Sequence, residues 1–298
     1  MDNGLRRGSL EMIAAMLISG TIGWFVLVSG QPVLDVVFWR CVFGALTLLA
    51  ICAAMGLFKP GVLTRATFLL AVVSGVAIVG NWVLLFASYS RASIAIGTAV
   101  YNVQPFMLVG LAALFLGEKI TLAKLTWLSV AFVGMLAIVG AHGSGQASGE
   151  AYLLGIALAL GAAFLYALAA LIIKRLTGTP PHLIALVQVS TGVLLLAPWV
   201  KLGGLPGEWP ALGSLLTLGM VHTGVMYVLL YSAIQRLPTA LTGALSFIYP
   251  IAAILVDWFA FGHRLAPLQW LGVGLILLAA AGMQQGWWLR GARGTQQA

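Results

Sequence analysis

Charge is what this chain has least of. Only 7% of its 298 residues are Asp, Glu, Lys or Arg, against about a quarter in soluble domains, while 61% are hydrophobic. A soluble core cannot absorb so much apolar sequence, so the composition is that of a polytopic membrane protein. Cysteine is nearly absent: Cys41 and Cys52 share one predicted helix and cannot bridge each other there, which excludes a disulfide framework. There is no metal-ligand spacing, no phosphate-binding Walker loop and no nucleotide domain, so no cofactor is expected. Acidic residues are fewer than basic ones, 7 against 15, for a net charge of +8. In a soluble protein that balance points to nucleic acid. Here the basic residues sit at the ends of apolar spans, where they set topology, and no nucleic-acid partner is expected.

What is present is a series of long apolar runs. Ten spans fit, near 9–29, 33–57, 66–89, 93–116, 122–140, 151–175, 182–202, 211–234, 239–261 and 267–289. The amino terminus resembles a signal-peptide n-region, but the apolar run behind it is long enough to span a bilayer and no small-x-small site closes it. It reads as an uncleaved first helix. Short breaks with turn chemistry divide the spans, among them Gly30-Gln31-Pro32, Thr179-Pro180-Pro181 and Ala266-Pro267. The polar stretch 142–150 separates a first five-helix repeat (1–141) from a second (151–289), and 290–298 forms a tail.

The repeat is visible in the residues. Tyr101 to Lys119 returns 145 residues later as Ser246 to Arg264, aligning Pro105 with Pro250, Gly117 with Gly262 and Lys119 with Arg264. Upstream, Arg91 meets Arg236 at the same offset. Lys and Arg then give the orientation. Arg6, Arg7, Lys59, Arg65, Lys119, Lys124, Lys174, Arg175, Arg236, Arg290 and Arg293 fall on the side of the termini, and Arg91, Lys201 and Arg264 on the other. By the positive-inside rule both termini are expected in the cytoplasm of a bacterial inner (plasma) membrane. Five spans per repeat is an odd number, so the second copy enters with opposite polarity. The expected fold is all-α and integral to the membrane, with ten transmembrane helices in two inverted-topology repeats of five. In such a fold two near-equivalent states exchange around a central site.

These residues resemble the EamA-type drug/metabolite transporters. The resemblance rests on LFLGEKITLAKLTWLSVAFVGMLAIV, Leu114 to Val139, and on Gln269-Trp270-Leu271-Gly272 in the second copy, and covers about Ser9 to Trp288. His263 departs from the family's frequent Glu and Lys124 from its frequent Gln; both stand at helix ends. Within the family the chain is most similar to exporters of aromatic amino acids. The resemblance implies a carrier of small solutes rather than an enzyme, acting as a monomer or homodimer.

Candidate site residues follow from polarity at membrane depth, where an unpaired polar group is expensive. Pro105 and Pro250 are the expected hinges. Each removes a helical hydrogen bond and frees the carbonyl four residues back, at Tyr101 and Ser246. Gln104 and Tyr249 adjoin them. Arg40, two turns into the second span, either anchors a substrate carboxylate or forms an ion pair with Asp257; the cost of an unpaired buried arginine weighs toward the pair. Asp35 is a further possible partner. The third span brings Asn81 and Trp82 and the eighth His222 and Tyr227; at the repeat offset Trp82 corresponds to Tyr227, so both halves point an aromatic ring the same way. For His222 the simpler reading is a hydrogen-bonded buried imidazole, with proton coupling as the sharper one. Trp24, Tyr166 and Gln188 complete the expected substrate-binding lining. Trp199, Trp209, Trp258, Trp287 and Trp288 read instead as interface-belt residues. Gly134, Gly140, Gly272 and Gly274 read as close-packing positions of spans five and ten.

A lining of many aromatic faces, few charges and some amide or hydroxyl donors suits a flat apolar or zwitterionic solute. The function expected is export of small metabolites, above all amino acids with aromatic or hydrophobic side chains. Organic-cation efflux is the rival, weakened because the first span has only Glu11, at its cytoplasmic end. A membrane-embedded enzyme fits less well, since His222 and Asp257 lack a reactive cluster around them.

Overall fold

The computed structural model describes residues 3–92, 94–140, 150–200, 205–261, 267–285 and 287, and among them there is no β-strand. The linker 142–149, Lys201, Gly262 to Arg264 and the tail 290–298 lie outside the described residues. The helices, in chain order, are α1 (Asn3–Ser19), α2 (Ile22–Ser29), α3 (Val33–Ala54), α4 (Arg65–Ala92), α5 (Ile94–Tyr101), α6 (Gln104–Leu116) and α7 (Leu122–Gly140). They continue as α8 (Glu150–Arg175), α9 (Pro181–Leu196), α10 (Trp209–Gly219), α11 (Met226–Arg236), α12 (Thr239–Ser246), α13 (Ile248–Phe261) and α14 (Pro267–Gln285). A 3₁₀ turn, Ala197–Trp199, ends α9, and a π-helical segment, Met220–Val225, joins α10 to α11.

Six segments are long and apolar enough to cross a bilayer: Asn3–Ser29, Val33–Ala54, Arg65–Ala92, Glu150–Arg175, Pro181–Trp199 and Trp209–Arg236. Shorter apolar helices accompany them at Gln104–Leu116, Leu122–Ala137, Thr239–Ala252 and Trp270–Met283. Their faces are sorted by size. On α4 the inward residues include Ser74, Gly75, Ala77, Asn81 and Trp82, while Leu69, Val73 and Val76 point out, Leu69 61% exposed. Opposite α4, helix α8 presents Ala159, Ala162, Ala163, Ala167 and Ala170. Small residues let backbones approach where no hydrophobic force pulls helices together, and the outward leucines face lipid chains. The approach is close: a Cβ on Gly155 of α8 would lie 2.6 Å from that of Ala92.

A second cluster is built by α7, α12 and α14 around Leu128, Met135, Ala244, Phe247 and Ile276. Within it a Cβ on Gly134 would sit 2.7 Å from the carbonyl oxygen of Gly272. Those two glycines therefore serve packing inside one chain. Trp199, Trp209 and Trp287 are exposed; the side chains of Trp258 and Trp288 are outside the described set.

One end of the bundle is tied by charge. Arg236 pairs with Glu11 at 2.5 Å, and Lys174 with Glu118 at 3.4 Å. Thr239 donates its hydroxyl to the same Glu118 carboxylate, and Lys174 donates to the Leu237 carbonyl at 2.7 Å. Gly117 makes this possible. It ends α6 in the left-handed region at φ 66°, which a glycine adopts without a Cβ penalty, and turns Glu118 back toward α8 and α12.

Candidate functional site

Three of the apolar runs are interrupted where they pass the centre of the molecule. The fourth run breaks after Tyr101, and α6 begins with Gln104 and Pro105 in its first turn. The ninth breaks at Phe247, with Pro250 in the first turn of α13. The prolines were expected to bend continuous helices; instead each starts a new one. A proline lacks only an N–H that the first turn of a helix does not use, so it is stable there and not in mid-helix. The first run breaks too, at Gly20-Thr21, which the sequence did not mark. Thr21 donates its hydroxyl to the Ile18 carbonyl at 2.8 Å, closing the turn between α1 and α2.

A cavity of about 80 Å³ lies where these breaks converge. Its walls include Arg40, Asn81, Trp82, Tyr101, Gln104, Tyr166, Tyr227, Ser246 and Tyr249, which brings together nine of the residues singled out above. Met16, Ser19, Tyr89 and Asn102 also line it and were missed. Asn102 carried a usable signal, a polar residue beside Tyr101 in a proline-bearing apolar run. Ser19 and Met16 carried none, because they face the cavity only through the break of the first run.

The lining is internally bonded. The Trp82 indole N–H donates to the Tyr227 hydroxyl at 2.8 Å, and the Asn81 amide donates to the Ala162 carbonyl at 2.8 Å. Tyr101 and Tyr166 meet edge to face at 6.1 Å. Gln104 donates to the Ser246 hydroxyl at 3.3 Å, joining the two broken runs, while its own carbonyl oxygen is buried without a partner among the described residues.

Arg40 is 1% exposed. Its Nε donates to Thr223 Oγ1 at 2.7 Å and Nη2 to the His222 carbonyl at 3.1 Å; the guanidinium carbon lies 4.2 Å above the Trp82 ring. The Asp257 side chain is outside the described ones. The π segment creates these contacts. Thr223 donates to the Leu218 carbonyl at 2.8 Å and His222 Nδ1 meets the Thr217 carbonyl at 3.2 Å, both five residues back, so the widened turn offers the His222 carbonyl sideways to Arg40. Thr223 was not anticipated; its only signal was being polar beside His222.

Three expected lining residues fall elsewhere. Trp24 is 39% exposed and lines an outward groove with Thr21, Phe25, Ala252 and Leu255, since the break before α2 turns it away. Gln188 is buried behind the cavity, donating to Ser74 at 2.6 Å and accepting from the Tyr231 hydroxyl. His222 is buried and bonded to the Thr21 hydroxyl at 2.6 Å, so it splices the first run to the π segment instead of facing the cavity.

The chain was compared with known proteins. The sequence profile of the EamA-like transporter family matches residues 6–140 and again 153–284. The chain belongs to the EamA-like transporter family. It is a multi-pass membrane protein of a transporter family. It is 29% identical over 279 residues to the uncharacterized transporter YxxF of Bacillus subtilis, covering 91% of this chain and 88% of the relative. A riboflavin transporter of Rhizobium johnstonii is 27% identical, covering 91% and 87%. A probable terminal-alkyne amino-acid exporter of Streptantibioticus cattleyicolor is 27% identical, covering 65% and 64%. A solved crystal structure superposes with a TM-score of 0.81 at 20% identity, over 98% of this chain and 99% of that one, which shows a common fold.

Proposed function

We propose that this EamA-family protein exports amino acids with aromatic or hydrophobic side chains across a bacterial inner membrane by alternating access. The observation that carries the reading is the central cavity, aromatic on most sides, placed where the broken runs meet. Interrupted helices in a membrane are tolerated where they line a cavity, and their free backbone groups are then available to a solute.

In this reading the ten runs are ten spans in two inverted repeats of five, with both termini in the cytoplasm. Helix packing supports it. Inversion exchanges span 1 with 6, 2 with 7, 3 with 8, 4 with 9 and 5 with 10. The packing of α4 on α8 then has its image in α11 on α1, and that of α4 on α9 in α10 on α3. The packing of α6 on α8 has its image in α12 and α13 on α1, while α3 with α9, α6 with α12 and α7 with α14 are their own images. Trp82 and Tyr227, 145 residues apart, touch each other. Repeat-equivalent residues can do so only beside the axis that relates the repeats.

The cavity of about 80 Å³ is smaller than the roughly 300–1,000 Å³ of pockets that enclose drug-sized ligands. An aromatic solute enters as the repeats rock apart. The ion pairs of Glu11 with Arg236 and Glu118 with Lys174 then close the cytoplasmic end in the state described. The named solutes of the relatives, riboflavin and a terminal-alkyne amino acid, are flat or carry an amino-acid group, and both fit such walls.

The test is reconstitution into liposomes with labelled phenylalanine, threonine, riboflavin and a tetraphenylphosphonium cation. Saturable phenylalanine movement, inhibited by other aromatic amino acids, is the expected result. Movement of the cation with none of phenylalanine or threonine would overturn the reading, and movement of riboflavin alone would redirect it to flavins.

A further inference from the structure

Among the described residues that line the cavity, Arg40 is the only charged one. Its hydrogen-bond partners, Thr223 Oγ1 and the His222 carbonyl, are neutral, and so are the rings of Trp82 and Tyr227, 4.2 and 5.7 Å from it. No described ion pair involves it. The helix that carries Asp257, α13, packs chiefly on α1; the Asp257 side chain itself lies outside the described ones. A fully buried guanidinium that only neutral groups hold, among the described residues, leaves its positive charge unbalanced by them at membrane depth, at a cost of several kcal/mol. Those contacts fix its orientation toward the cavity without neutralising it, which is the arrangement a site takes when the ligand supplies the counter-charge. A second buried group, the Gln104 carbonyl oxygen, lacks a partner among the described residues, and Gln104 lines the same space.

We infer that the cavity recognises its solute by a carboxylate docked on Arg40, with the solute's apolar part against Trp82, Tyr227 and Tyr101 and a donor group reaching Gln104 Oε1. The inference rests on reading the cavity as the solute site. It extends that reading by naming the charge that is read. Carboxylates with an apolar body, amino acids among them, are bound; amines and amides of the same shape are rejected, because they add positive charge beside Arg40 or offer it none to pair with.

The experiment is a ligand series on the purified, unmodified protein, with dissociation constants obtained from thermal stabilisation or calorimetry. The series is phenylalanine, phenylacetate, phenylalaninamide, phenethylamine and sodium sulfate. Phenylalanine and phenylacetate are expected to bind roughly 10- to 100-fold more tightly than phenylalaninamide and phenethylamine, the range for losing a charge-assisted hydrogen bond. Arg40→Gln should remove that preference. The series on the unmodified protein stands even if the variant does not fold. Equal binding of carboxylates and amines would overturn the inference, and so would sulfate binding as tightly as phenylacetate, which would make Arg40 a general anion site. The transport reading fails separately: carboxylates that bind but never cross liposomes sink that reading and leave this one, whereas amino acids that cross but compete equally with their amides do the reverse.

Discussion

Trp82 and Tyr227 form the contact on which the centre of the molecule turns. Their bond joins the third and eighth runs beneath Arg40, and both side chains are buried. Tyr227→Phe deletes the hydroxyl and keeps the ring, and Trp82→Phe deletes the indole N–H while leaving a smaller aromatic ring. In a double-mutant cycle we expect a coupling near 0.6 kcal/mol and at most about 1.7, the span measured for hydrogen bonds between membrane helices. Reversible unfolding in mixed micelles provides the measurement; a coupling of zero would mean the bond is not formed. At this scale the sequence was informative wherever a polar or aromatic residue stood deep in an apolar run, as with Arg40, Gln104 and Tyr249. It misled where depth was inferred from a continuous helix. Trp24 was counted as lining because the first run was read as unbroken, yet the turn at Gly20-Thr21 rotates it outward.

Elements carry the second lesson. A proline in an apolar run admits a kink or a break, and the choice depends on what satisfies the freed backbone. At Asn102 and Val103 the turn closes on itself: the Asn102 N–H donates to the Thr98 carbonyl at 3.0 Å, and the Asn102 amide donates to the same oxygen at 2.7 Å. That local closure makes the interruption stable, and α6 starts cleanly at Gln104. Pro105→Ala restores the N–H and lets α5 and α6 approach one continuous helix. We expect the variant to gain about 1 kcal/mol in stability, the net value of one hydrogen bond, while losing transport rate because the broken geometry is what moves. Thermal denaturation beside liposome flux reads both; a variant no more stable and equally fast would show that the break owes nothing to the proline. The π segment had no comparable marker. Gly219 precedes it and Gly224 lies within it, but only the docking of Phe43 against Gly219 and of Thr47 against Gly224 explains why the widened turn sits there.

For the whole molecule the central prediction is topological. With Cys41 and Cys52, both buried, replaced by alanine, single cysteines are placed at Lys119 and Arg264. If the repeats are inverted, a membrane-impermeant maleimide labels the two from opposite faces of sealed, oriented vesicles. Labelling from one face would require a parallel repeat and would remove the symmetry that pairs the packing of α4 on α8 with that of α11 on α1. Oligomerisation is not needed to explain Gly272 of the tenth run, because it is consumed by Gly134 within the chain; a Cβ on Gly274 would meet open space.

Scarce charge and long apolar runs were enough, by themselves, to place this chain in the membrane, while the family was reached through the resemblance carried by Leu114 to Val139 and Gln269 to Gly272. The physical reason is that lipid permits few backbone solutions, so composition and period constrain the fold strongly. What surrounds Arg40 was decided only in three dimensions. Thr223 is one polar residue among several at plausible depth, and no sequence rule marks it as a partner of Arg40. A π turn presents Thr223 and the His222 carbonyl to it, set there by the packing of α3 against the π segment.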